Sequence, residues 1–164
     1  MIRSERYEAA LRYATAMHEG QTRRGGEPYI THPMAVAAIV ASQGYDEDTQ
    51  ITALFHDLLE DTAATDSEIL ALSNEAVLRA VKCLTKTEGY RMEAYIAAIR
   101  ENEMARVVKA ADRLHNLRCA VVCEEAFKRR YIRESREWYL DFSPEIIEAV
   151  EALEQTLLPR TGEA

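Results

Sequence analysis

Glycine and proline are scarce in this sequence, six and four among 164 residues, and no segment of strand length alternates strictly between apolar and polar residues. Turn-rich β architectures lose their basis with those two shortages. No apolar run is long enough to span a membrane, and the N-terminal MIRSERYEAALRYA is charged and amphipathic from its start, unlike a secretory signal. Cysteine is limited to Cys83, Cys119 and Cys123, an odd number without metal-motif spacing. Reduced thiols and a cytoplasmic location are the expectation. Positive charge is also short: 20 Lys and Arg face 28 Asp and Glu, for a net charge of −8. Such a chain has no general attraction for a nucleic-acid backbone, which disfavours polymeric DNA or RNA as a partner. A small phosphorylated ligand needs only a local cluster of positive charge.

What the sequence does contain is helical periodicity. Apolar residues, 48% of the chain, recur at three- and four-residue spacing almost throughout, so the expected fold class is all-α, in a single domain covering 1–164 with one sizeable core. The first helix is expected over about 4–18. The long irregular stretch GQTRRGGEPYITHP follows, and Pro33 in its first turn opens a second helix that Gly44 stops. Asp46 is placed to cap a third helix over about 47–61. TDSE at 65–68 has the spacing of a capping box for a short fourth helix. Further helices are expected over about 74–84, in MEAYIAAIRE, in EMARVVKAADRLHNLRCAV, around 124–140 and around 144–157. Ser143 and Pro144 supply the N-terminal signal of the last.

Two polar patches interrupt otherwise apolar helices. In ALFHDLLEDT (53–62), His56 and Glu60 are four apart, as are Asp57 and Asp61, spacings that make neighbours on a helix surface. An isolated HD pair is weak, because solvated helix-end acids and a packed histidine account for it. In VVKAADRLHNLR, Asp112, His115 and Asn116 fall at i, i+3 and i+4, with Lys109 one turn earlier. An aspartate inside so apolar a helix calls for a cation, an arginine or a metal. His32, just before Pro33, is a third candidate ligand. Two imidazoles and two carboxylates suit a divalent transition metal with positions left for water.

HEGQTRRGGEPYITHP, ALFHDLLEDT and KAADRLHNLR, in that order over about residues 5–140, resemble the hydrolase domain of RelA/SpoT-type proteins, within the HD-domain metal-dependent phosphohydrolases. The resemblance implies a multi-helix bundle with the metal site between helices. It implies one divalent metal per chain, Mn²⁺, held by His32, His56, Asp57 and Asp112. By the same resemblance Glu60 and Asp61 are the catalytic pair that orients or activates the attacking water. Arg23, Arg24 and Asn116 are the substrate-binding residues. The implied reaction removes the 3′-pyrophosphate of ppGpp or pppGpp, giving GDP or GTP and pyrophosphate. A stand-alone hydrolase, like the small alarmone hydrolases, is expected from the extent of the match.

The sequence departs from that pattern in three places, the first being a segment between LTK and ADRLHN that is short compared with the long enzymes. Gly25 follows the basic pair where Ser is common, and Cys119 stands where Thr is common. By the resemblance, both changes alter the base pocket. The alternatives are therefore an HD-family phosphatase or pyrophosphohydrolase acting on another nucleotide (pppApp, NADPH), or a non-catalytic nucleotide-binding protein. The bland readings are kept for His18 as a cap or packing residue and for His115 as a structural neighbour, while Lys86 and Lys109 are equally able to meet phosphate or to be surface charges.

Overall fold

Helix ends in this chain are written by short polar side chains. Ser4 accepts from the Tyr7 N–H at the start of α1 (Glu5–Met17), and Asp46 accepts from the Thr49 N–H at the start of α3 (Glu47–Phe55). Thr65 and Asn74 do the same for α5 (Asp66–Leu72) and α6 (Glu75–Leu84). Each such bond satisfies a donor that the helix itself leaves unpaired, and is worth about 1 kcal/mol. The other helices are α2 (Thr31–Ser42), α4 (Leu58–Asp61), α7 (Met92–Glu101), α8 (Glu103–Cys119), α9 (Glu125–Trp138) and α10 (Pro144–Gln155), with a 3-10 turn at Ala120–Val122. This is a computed structural model, and it describes residues 2–159. Among the described residues the only extended pairing is one isolated antiparallel bridge. No helix among them is long and apolar enough to cross a membrane.

The chain divides into two compact units, Met1–Ala111 and Asp112–Ala164. In the first, α2 packs chiefly on α3, and α3 also packs on α1 and α6. Ile51, Ala53, Leu54 and Phe55 are completely buried in the middle of these helices. Full burial of a side chain the size of Leu54 or Phe55 contributes about 1.5–3 kcal/mol. Val77, Ala80, Val81 and Leu84 make the inward stripe of α6 at i, i+3, i+4 and i+7.

In the second unit Ile146, Val150 and Leu153 form the buried stripe of α10, and Tyr139 is fully enclosed. Arg113 is buried there at 7% exposure. Its guanidinium lies 4.7 Å from the Tyr131 ring centre and 4.3 Å from that of Tyr139, with Glu134 at 3.5 Å. Two aromatic rings and one carboxylate thus stand near the guanidinium charge, while its buried Nε and Nη1 make no hydrogen bond.

Most of the expected helices lie within a residue or two of their predicted places. The third does not. The periodicity of residues 47–61 runs through without interruption, yet α3 ends at Phe55 and α4 begins at Leu58. His56 takes the Ala53 carbonyl with its ring, Nδ1 to O 2.6 Å, while its own N–H reaches that carbonyl only at 3.5 Å. A side chain competing for a backbone acceptor breaks the ladder at that point. Ser143 precedes α10 as expected, but its side chain makes no capping bond. Pro144, with no N–H to satisfy, starts the helix instead.

Candidate metal centre and active site

The break between α3 and α4 sets the site. His56 and Asp57 lie on the turn between the two helices rather than on a continuous helical face. His32, in the first turn of α2, is brought beside them, its ring centre 5.4 Å from that of His56. One ligand atom from each of His32, His56 and Asp57 lies within 4.8 Å of the other two. Both imidazoles are buried, at 2% and 3% exposure, and Asp57 is half-buried.

The chemistry of these donors calls for positive charge among them. A carbonyl oxygen only accepts, so the contact between His56 Nδ1 and the Ala53 oxygen puts a proton on Nδ1. The other nitrogen, Nε2, faces Asp57 Oδ2 at 3.1 Å. In a neutral ring Nε2 carries a lone pair, so two acceptors confront each other. A proton or a metal cation turns that repulsion into attraction. Two neutral imidazole nitrogens and one carboxylate oxygen are a donor set for a borderline divalent ion. The described residues therefore fit a divalent metal.

Tyr29 supports the cluster from the loop before α2. Its hydroxyl donates to Asp57 Oδ2, and its ring lies between those of His18, 4.7 Å away, and His32, 5.9 Å away. Hydrogen bonds of this kind fix the direction of a ligand carboxylate. His18, the C-cap of α1 and almost wholly buried, contacts Gln21 Oε1 through Nδ1 at 2.8 Å. Gln21 in turn donates from Nε2 to the Asp61 carbonyl at 2.9 Å. The expectation that His18 is a cap and packing residue agrees with its place.

Glu60 and Asp61 lie in α4, exposed and immediately after the cluster. Glu60 accepts from the backbone N–H of Lys86 at 2.6 Å, a bond that ties α4 to the segment following α6. The Asp61 carboxyl is pushed above the usual carboxylate range, first by partial burial and then by the charges of Asp57 and Glu60; His18 and His56 oppose the shift. Since Asp61 stands open to water, solvent screens much of that repulsion. A base held at this place would meet an attacking water beside the cluster.

The basic pair lies on a closed hairpin rather than an irregular loop. Arg23 N–H donates to the Glu27 carbonyl at 2.8 Å and Tyr29 N–H to the Gln21 carbonyl at 2.8 Å, on either side of the Thr22–Pro28 bridge. Pro28 occupies the position of the pair where no N–H is needed. Gly26 turns the tip with φ +93°, which side-chain-bearing residues rarely adopt. At Gly25 an added Cβ would meet only the mobile end of the Glu27 side chain. Arg23 is half-buried and Arg24 exposed.

Asp112 and Asn116 belong to the second unit. Asp112 is buried at 7% exposure and accepts from Asn116 Nδ2 at 3.2 Å. His115 and Cys119 also meet on α8, Nε2 to Sγ 3.5 Å.

The first unit thus assembles His32, His56 and Asp57 and places Glu60 and Asp61 next to them. The sequence reading missed Tyr29 and Gln21, and it singled out Lys86 without its tie to Glu60. Tyr29 and Gln21 stand inside the motif HEGQTRRGGEPYITHP, so the motif itself carried a signal. The contact between Lys86 and Glu60 joins residues 26 apart and had none.

Residues 10–143 match the family model described as HD domain. Over 146 residues, 82% of its length, the chain is 38% identical to the bifunctional (p)ppGpp synthase/hydrolase SpoT of Escherichia coli (strain K12). It has the same identity and coverage against the guanosine-3′,5′-bis(diphosphate) 3′-pyrophosphohydrolase of Escherichia coli O157:H7. The match takes up 21% of either relative, so the chain spans about a fifth of the length of these curated proteins. A solved structure of a metazoan ortholog of SpoT that hydrolyzes ppGpp and plays a role in starvation responses has the same fold, with a TM-score of 0.64 at 24% identity. The likeness covers 96% of this chain and 94% of that one. A family match that takes in the hairpin, the α3–α4 turn and all of α8 leaves one conclusion: the chain belongs to the HD-domain family.

Proposed function

We propose that this chain is a metal-dependent 3′-pyrophosphohydrolase of guanosine alarmones, converting ppGpp or pppGpp with water into GDP or GTP and pyrophosphate. The observation that carries the reading is the His32–His56–Asp57 cluster with Glu60 and Asp61 beside it, in a chain 38% identical to two proteins whose names carry that hydrolysis.

In this reading His32, His56 and Asp57 hold one divalent ion, Mn²⁺. Asp112 is assigned as the fourth ligand from its place in KAADRLHNLR, with Asn116 steadying its carboxylate. A divalent ion so held would lower the pKa of a coordinated water and polarise a phosphoryl oxygen. Glu60 and Asp61 take the proton of the attacking water and set its direction. The new bond forms between that water and the phosphorus attached to the ribose O3′, and the P–O3′ bond breaks. Tyr29 keeps Asp57 in one orientation throughout. Arg23 and Arg24 engage the nucleotide from the hairpin, where a planar guanidinium serves for phosphate or for stacking on a base. Asn116 is the third substrate-binding residue.

The single-domain organisation over 1–164 is proposed on the family match, which runs through both units. Three free cysteines support a reducing, cytoplasmic setting.

The test is to incubate the purified protein and Mn²⁺ with ppGpp, pppGpp, pppApp, NADPH and simple nucleotides, and to resolve the products. Pyrophosphate released from ppGpp or pppGpp and not from the others is the expected result. Orthophosphate from NADPH, or pyrophosphate from pppApp alone, would replace guanosine alarmones with another nucleotide, and no turnover of any would remove the enzymatic reading.

A further inference from the structure

Lys86 and Lys109 each bring an ammonium to one tyrosine ring, that of Tyr95. Tyr95, on α7, is buried, and its hydroxyl donates to the Leu84 carbonyl at 3.2 Å, which fixes the ring as a post. The Lys86 ammonium lies 5.4 Å from the centre of that ring and 5.4 Å from the centre of Tyr90. The Lys109 ammonium lies 5.7 Å from the centre of Tyr95. Both lysines are half-buried. The turn that delivers Lys86 is itself fixed: Tyr90 N–H donates to the Thr87 carbonyl at 3.1 Å, and Gly89 takes φ +75°.

In a chain with 28 acids and 20 Lys and Arg, a lysine ordinarily finds a carboxylate. Lys86 has none among the described residues; its ammonium is held by two aromatic faces instead. Ring faces attract a cation without neutralising it, so the charge stays available to an anion. The backbone of the same residue is bonded to Glu60. The residue that carries this ammonium is thus anchored to Glu60 through its main chain.

We propose that Lys86 and Lys109 form a subsite for the terminal phosphoryl group of the substrate's 3′-diphosphate, and so select diphosphates over monophosphates. The assignment rests on the function proposed above, in which Glu60 attends the phosphorus attached to O3′. In that assignment the next phosphoryl group along the chain falls to Lys86, whose main chain is tied to Glu60. After hydrolysis the same pair holds the pyrophosphate product, which makes pyrophosphate a ligand in its own right.

Pyrophosphate binding tests the subsite without requiring turnover. Metal-loaded, desalted wild type, Lys86→Gln, Lys86→Arg and Lys109→Gln are titrated calorimetrically with inorganic pyrophosphate and, separately, with orthophosphate. Metal content is measured before and after each titration. Wild type is expected to bind pyrophosphate more tightly than orthophosphate. Each Gln variant should lose about tenfold to a hundredfold in pyrophosphate affinity, the worth of one charge-assisted hydrogen bond, while orthophosphate affinity and metal content hold. Lys86→Arg should restore most of the loss. Gln variants that bind pyrophosphate as wild type does, that lose both anions equally, or a wild type without preference for pyrophosphate, would each overturn the proposal. Because the substitution leaves the backbone N–H to Glu60 in place, a change in pyrophosphate affinity reports the ammonium itself. An inactive wild type that still shows the pattern would remove the hydrolase reading and keep a diphosphate site; an active enzyme without the pattern would do the reverse.

Discussion

Buried charge is handled in opposite ways in the two units. Around Arg113 the protein supplies its own counter-groups: two tyrosine rings and Glu134 stand at the guanidinium, although its Nε and Nη1 make no hydrogen bond. Around His56 it does not. There a ring nitrogen faces a carboxylate oxygen, and three further acidic or imidazole groups stand close by. A charge that the fold satisfies from within belongs to the architecture. A gathering of acceptors that needs a cation to become favourable belongs to a ligand. Burial alone does not distinguish the two, since Arg113 and His56 are buried to a similar degree. The sign of what faces the buried group does.

That contrast can be broken from either side. The largest effect is expected at the acceptor cluster. Glu60→Gln removes the proposed base and leaves the three clustered donors untouched, so turnover should fall by about 10²–10⁴ while the protein still takes up metal. Steady-state rates beside elemental analysis would check both halves, and unaltered turnover would move the base to another residue. A smaller effect is expected on the other side. Arg113→Met keeps the volume between Tyr131 and Tyr139 but removes the charge, and should cost about 1–3 kcal/mol of stability, read from urea denaturation. The central expectation there is negative: metal content should not change. A large loss of metal in Arg113→Met would erase the distinction between the two buried charges.

The elements that sequence reading located well are those whose ends are written locally. Thr65 in TDSE and Pro144 after Ser143 specify α5 and α10 by contacts within one turn. The failures are contacts that periodicity does not encode. Residues 47–61 keep an uninterrupted helical pattern, yet the helix breaks at His56, whose ring takes the Ala53 carbonyl. The hairpin around Arg23 and Arg24 closes through a bridge whose one partner is a proline, a residue that ordinarily argues against pairing. The histidines and acids of the cluster were legible because few residue types do metal chemistry. Tyr29 was not, since a tyrosine in a loop has many uses and only the fold brings its hydroxyl to Asp57. Lys86 was legible as a charge, and its attachment to Glu60 required the packing of α4 against the end of α6.

The most direct test of the account is a Mn²⁺ titration of metal-free wild type and Asp57→Ala, followed by the electron paramagnetic resonance signal of the free ion. The wild type should bind one tightly held ion per chain, and Asp57→Ala should bind none at the same concentrations. An undiminished, stoichiometric ion in Asp57→Ala would contradict the claim that the α3–α4 turn is a metal centre.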